Sequence, residues 1–194
     1  ALDHVMITGS TSDVHLFSTN SQHSLPKVNS ALIIGGGKVT NYLVSRLIKL
    51  HMHVKIIENN LEIADKLAAA FPQVEVIFGD GTKHALLNEE HVADYDSVIT
   101  LTGIDEENIL TSIYATRMGV PVTITKVNRT DLLKVLDHVG LQAIITPQHL
   151  ISDHIVRFIR STENSQGSNI DAFYRLADGN VEVLQFKAKK SSKA

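Results

Sequence analysis

Between residues 30 and 147, short runs of branched aliphatic side chains alternate with longer stretches of helical periodicity. The runs are Ala31–Ile34, His53–Ile57, Val74–Phe78, Ser97–Leu101, Val122–Thr125 and Ala143–Ile145. Several are apolar almost throughout, as expected of strands covered on both faces rather than one. In the first intervening stretch Val39, Leu43, Leu47 and Leu50 recur at i, i+4, i+8 and i+11, which predicts one buried helical stripe. Six strands with helices between them predict an α/β fold: a doubly wound parallel sheet with right-handed crossovers.

Both ends break this rhythm. Residues 1–29 hold one candidate strand around His4–Thr8 and then a polar stretch. After Arg160, Ser161–Asn169 contains no aliphatic or aromatic side chain and reads as a linker or loop. Ala172–Leu176 and Val181–Phe186 then flank Ala177-Asp178-Gly179-Asn180, the pattern of a β-hairpin. The final eight residues, with four lysines, are expected to fray. Beyond Pro147, Ile151, Ile155, Phe158 and Ile159 form an apolar helical stripe that Leu150 and Val156 broaden. Such a stripe covers either the chain's own sheet or a partner subunit.

Charge and composition narrow the function. The 194 residues carry 18 basic and 21 acidic side chains, a net charge of −3, which argues against a dedicated nucleic-acid binder. The chain has no cysteine, which excludes disulfides, thiolate metal sites and a cysteine nucleophile. No apolar run approaches the roughly 20 residues of a membrane span, and Ala1–His4 does not resemble a secretory signal. A cytoplasmic location without direct membrane insertion is expected. The histidines, including the pairs His51/His53 and His149/His154, lack a coherent set of carboxylate partners, so no metal site is expected.

The chemistry concentrates after the first strand. Gly35, Gly36 and Gly37, followed by Lys38 and Val39, open the first helix. Glycines there permit a tight turn and a close approach of backbone to phosphate, and the helix N-terminus offers free N–H groups and a positive dipole end. Glu58, at the end of the second strand, is placed to accept hydrogen bonds from a ribose. Strand, loop, helix, strand and acid in this order predict a dinucleotide site. Thr40 stands where the fingerprint has Gly or Ala, and is expected to widen helix–sheet spacing. Further candidates follow later strands: Gly79-Asp80-Gly81-Thr82, Thr102–Asn108, and Lys126–Arg129. Taken singly, Asp80 suits a turn, Asp105 an N-cap, and Lys126 a solvated surface.

These ordered motifs, closing with Ile145-Thr146-Pro147-Gln148, resemble the regulatory KTN/RCK (TrkA-N) nucleotide-binding domain of bacterial Trk potassium uptake systems. The resemblance spans about 30–160, and implies a Rossmann-like domain there. It implies that 1–29 is the end of a preceding small C-terminal-type subdomain or a linker. Residues 161–194 would be a linker and the hairpin start of another such subdomain. The family binds NAD(H) or ATP/ADP without chemistry on them. By position, the resemblance gives Gly35, Gly36, Gly37, Lys38 and Val39 the phosphates, Glu58 the adenosine ribose and Asp80 the adenine. Thr102 and Gly103 would touch the far ribose or phosphate region, and Lys126, where the family usually has arginine, would face the phosphates. The implied partners are a membrane potassium-translocating subunit and further copies of the chain, a dimer that assembles to a tetramer in the full-length protein. The location implied is the inner face of the cell membrane.

The alternative class is an NAD-dependent oxidoreductase. It needs a substrate domain with a general acid or base beside the nicotinamide. The residues after 160 contain no histidine and are too few for that domain.

Overall fold

A computed structural model describes residues 16–17, 27–132, 136, 141, 143–164, 170–176 and 181–186. The chain divides into two compact units, 26–147 and the combination of 1–25 with 148–194.

The first unit is a six-stranded parallel sheet in the order β3-β2-β1-β4-β5-β6. Its strands are β1 (Ser30–Ile34), β2 (His53–Glu58), β3 (Glu75–Phe78), β4 (Ser97–Thr100), β5 (Val122–Lys126) and β6 (Ala143–Ile145). All six expected strands are present and the doubly wound topology is borne out. Between them lie α1 (Lys38–Lys49), α2 (Leu61–Ala70), α3 (His84–Glu89) and α4 (Asp105–Arg117).

The central strand shows why the aliphatic runs do not alternate with polar residues. Ala31 and Ile33 face one core, with Val44 and Leu67 from α1 and α2. Leu32 and Ile34 face the other, with Leu87 from α3 and Ala115 from α4. Ala31, Leu32, Ile33 and Ile34 are all almost wholly buried, since successive side chains point to opposite covered faces.

The stripe expected on α1 is rotated. Val39 and Leu50 are exposed, and the fully buried residues are Thr40 and Val44, flanked by Leu43, Leu47 and Ile48. Thr40 can hold the innermost place because its hydroxyl donates to the Gly35 carbonyl at 2.5 Å. A satisfied hydroxyl loses the burial penalty that would otherwise push it outward.

Two ties hold the strand starts together at the opposite edge from the glycine loop. Asp96 Oδ2 accepts from Asn29 N, Ser30 N and the Ser30 hydroxyl at 2.8, 3.0 and 3.0 Å. These bonds hold the Asp96 carboxyl below its ordinary range, the Asn29 amide first among them. Lys55 reaches Glu90 and Glu75 at 2.7 and 3.2 Å. Burial works against the Lys55 ammonium, but its two carboxylate partners raise it above its usual value.

The second unit contains α5 (Pro147–Asn164) and an antiparallel hairpin of β7 (Ile170–Leu176) and β8 (Val181–Phe186), as the flanking pattern predicted. The hairpin's connecting residues, and the expected strand near His4–Thr8, lie outside the described residues. The polar stretch does not begin a linker at Ser161. Helix α5 runs on to Asn164, because Ser161–Asn164 holds no glycine or proline to stop a propagating helix.

Candidate functional site

The sheet reverses its winding between β1 and β4, and in such sheets ligands bind outside the carboxyl ends at that switch point. A cleft of about 350 Å³ opens there. Its walls come from the ends of four strands. They are Gly35–Gly37 after β1, Glu58 and Asn59 at the end of β2, Gly79–Thr82 after β3, and Leu101–Ile104 after β4 with Glu107 on α4. Of the sequence candidates, Gly35, Gly36, Gly37, Glu58, Asp80, Thr102 and Gly103 line this one cleft. Lys38, Val39 and Lys126 do not.

The glycine loop is shaped by two distinct demands. Gly35 has φ of +100°, and a Cβ there would lie 2.9 Å from the Thr102 nitrogen. Chirality and the neighbouring β4 backbone both require glycine. Gly36 is a matter of close approach: a Cβ would stand 2.6 Å from Leu67 Cδ1 and 2.9 Å from Glu58 Oε2. Its N–H donates to Glu58 Oε2 at 2.5 Å, while Glu58 Oε1 accepts from Asn60 N at 2.7 Å. Glu58 is therefore a buried carboxylate held by backbone at both oxygens, with further lone pairs open to hydroxyl donors.

Helix α1 begins at this loop without protection. Its N-cap, Gly37, supplies no side-chain acceptor, its first turn has no acidic residue, and its first helical bond is Asn41 N to Gly37 O. The preceding N–H groups and the dipole's positive end are thus available to an anion. Helix α4 is the opposite case, with Asp105, Glu106 and Glu107 all in its first turn.

The β4 side of the cleft is held by Asn108 and Asp105 through partners distant in sequence. Asn108, fully buried, donates to the carbonyls of Thr102 and Lys126 at 3.2 and 3.0 Å. Its Oδ1 accepts from Thr102 N and the Thr102 hydroxyl at 2.9 and 2.8 Å. One amide therefore fixes the ends of β4 and β5 together. Asp105 is not the N-cap expected of it; that position is Ile104. Its buried carboxylate accepts from Asn128 N, Asn128 Nδ2 and Arg129 N at 2.9, 2.9 and 2.8 Å. Capping its own helix is less favourable than satisfying three donors of the β5 loop. Asp80 does form the expected turn, accepting from Thr82 N and its hydroxyl at 3.0 and 2.7 Å. Those bonds, with Lys83 nearby, hold its carboxyl below the ordinary range.

The cations at and just after the end of β5 are engaged elsewhere. Lys126 Nζ donates to the Leu101 carbonyl at 3.3 Å, and burial pushes its ammonium below its ordinary value against the pull of Asp105. Arg129 pairs with Glu106 and Asp131 at 2.8 and 2.9 Å.

Residues 31–147 match the TrkA-N domain family, well over half of the chain. The chain belongs to the TrkA-N family. Its relatives include the Trk system potassium uptake protein TrkA homolog 2 of Methanosarcina mazei, 27% identical over all of this chain and 42% of that protein. The TrkA of Halomonas elongata is 27% identical over 98% of this chain and 41% of its own. This TrkA-N chain thus spans less than half the length of those relatives. Among solved structures, the TrkA-N domain of the Escherichia coli inner membrane protein ybaL superposes with a TM-score of 0.60 at 17% identity, covering 68% of this chain and 96% of that one. The GsuK channel bound to NAD superposes at 0.55 and 18% identity, over 79% of this chain and 26% of that one. The Shewanella denitrificans Kef C-terminal domain in its AMP-bound form superposes at 0.57 and 15% identity, over 69% and 80%. These structures establish the shared Rossmann-like fold of the TrkA-N domain.

Proposed function

We propose that this TrkA-N domain is a cytoplasmic nucleotide sensor of a Trk-type potassium uptake system. It binds NAD(H) or ATP/ADP in the switch-point cleft and passes its ligation state to a membrane potassium-translocating subunit. The observation that carries the reading is the uncapped, acid-free start of α1 opening through Gly35–Gly37 into a cleft whose adjoining wall is the fixed Glu58 carboxylate. That combination suits a phosphate with an adjoining ribose. The NAD in the GsuK structure and the AMP in the Kef structure, both on the same fold, support it. Among the described residues no helix is long and apolar enough to cross a membrane, so transport belongs to the partner in this reading.

The nucleotide acts as an effector here, through different affinities for two arrangements of the assembly. No turnover accompanies binding. Titration calorimetry of the chain with NADH, NAD, ATP and ADP tests the proposal. Saturable binding that is lost on substitution in the glycine loop is the expected result. Absence of binding by all four overturns it, and sustained NADH oxidation with a small carbonyl substrate would establish a dehydrogenase instead.

A further inference from the structure

The cleft is lined by three carboxylates, Glu58, Asp80 and Glu107, and among the described residues by no lysine, arginine or histidine. The three are not equivalent. Both oxygens of Glu58 accept backbone N–H groups. Asp80 is satisfied by Thr82 and has the Lys83 ammonium at 3.6 Å. Glu107 has neither a hydrogen bond nor an ion pair among the described residues, and stands half-buried in the cleft wall. It also follows Asp105 and Glu106, so the positive end of α4 is already offset by its own first turn.

The two helix starts therefore divide the cleft electrostatically. The α1 end attracts anions and the α4 end repels them. With a pyrophosphate at α1 and the first ribose at Glu58, whatever continues beyond the pyrophosphate meets the wall of Thr102, Ile104 and Glu107. Among the described residues no cation stands ready there. Lys126 is bonded to the Leu101 carbonyl, Arg129 to Glu106 and Asp131, and Lys38 is exposed and does not line the cleft.

Resting on the nucleotide reading above, we propose that the site selects a dinucleotide over a nucleoside triphosphate, and that Glu107 is the residue that sets this choice. A pyrophosphate diester bears one negative charge per phosphate and continues into an uncharged riboside. A triphosphate continues into a terminal phosphate of roughly −1.5 to −2 charge, directed at a carboxylate that has no cationic partner among the described residues.

The test is titration calorimetry of the 194-residue chain with NADH and with ATP, at low ionic strength and with EDTA present so that no divalent cation screens the phosphates. NADH is expected to bind about tenfold tighter than ATP. In Glu107→Gln, ATP should tighten by about threefold or more, while NADH changes by less than about twofold. Circular dichroism checks that the variant is folded. ATP binding as tightly as NADH in the unaltered chain, or a gap that Glu107→Gln leaves in place, overturns the inference while leaving the nucleotide site standing. If neither ligand binds, the nucleotide reading itself fails and the inference with it.

Discussion

The Glu58 carboxylate and the Gly36 backbone form one unit: Oε2 accepts from the Gly36 N–H at 2.5 Å, with no room for a Cβ between them. The acid that would receive the ribose and the loop that would receive the phosphates are thus fixed relative to each other before any ligand arrives. Such preorganisation reduces the ordering cost of binding. It also separates the roles of neighbouring glycines, since Gly36 is needed for the fold of the loop whereas a Cβ on Gly37 would meet nothing within 4 Å.

Gly37→Asp should therefore move stability and binding in opposite directions. Gly37 is the N-cap of α1, and its backbone angles of −68° and −172° suit any residue. Aspartate there caps the helix and complements its dipole, a gain of about 0.5 kcal/mol. The same carboxylate occupies and repels the phosphate position, so nucleotide affinity should fall by about tenfold or more. Thermal melting and calorimetry on one preparation read both effects. Unchanged affinity would move the phosphates away from this loop.

Glu58 should govern discrimination at the ribose. A carboxylate accepts from a free 2′-hydroxyl and repels a 2′-phosphate, so NADH should bind more tightly than NADPH. Glu58→Ala should narrow that difference. It also strands the Gly36 and Asn60 donors, at about 1–3 kcal/mol for each one that stays buried. Glu58→Gln keeps one acceptor and the side-chain volume, and serves where the alanine variant is too unstable to titrate. NADPH binding equal to or tighter than NADH would remove this role from Glu58.

Acid sensitivity should trace partly to Asp96. Its folded carboxyl is held below the ordinary value, first by the Asn29 amide and then by the Ser30 hydroxyl. A depressed folded value means that the stabilisation is present above the unfolded carboxyl's range, and is lost as pH falls through the folded value. Asp96→Asn should be less stable than the parent at neutral pH and should lose less on acidification. Melting temperatures measured from neutral pH down through the carboxylate range test this. Parallel curves for the two proteins would exclude the assignment.

Self-association should run through α5. Leu150, Ile151, Ile155 and Ile159 on α5 are each at least half exposed. An apolar surface of this kind calls for a partner, and an isologous pair is the commonest closed solution. Ile155→Asp should give a folded monomer where the parent chain is a dimer. Light scattering gives the mass and circular dichroism the fold. A parent chain that is monomeric at micromolar concentration would end the proposal.

The pattern of branched aliphatic runs was enough to give the parallel sheet, because a strand covered on both faces leaves no polar alternation and only one reading of its period. The order of glycine loop, Glu58 and the Asp80 turn was likewise legible, since each is a local feature placed at a strand's carboxyl end by the fold. The rotation of α1 was not legible. Whether Thr40 or Val39 turns inward depends on the Gly35 carbonyl, which only the folded loop brings to the Thr40 hydroxyl. Nor was the role of Asn108 or Asp105 legible, for their partners lie across β4 and β5, up to 24 residues away in sequence. Lys126 shows the same limit: its positive charge near the rim can be read from the chain, whereas the hydrogen bond that its ammonium donates to the Leu101 carbonyl exists only after folding. Periodicity and turn chemistry act over a few residues and can be read from the chain. The choice of hydrogen-bond partner for a buried polar group is made among atoms that are neighbours only after folding.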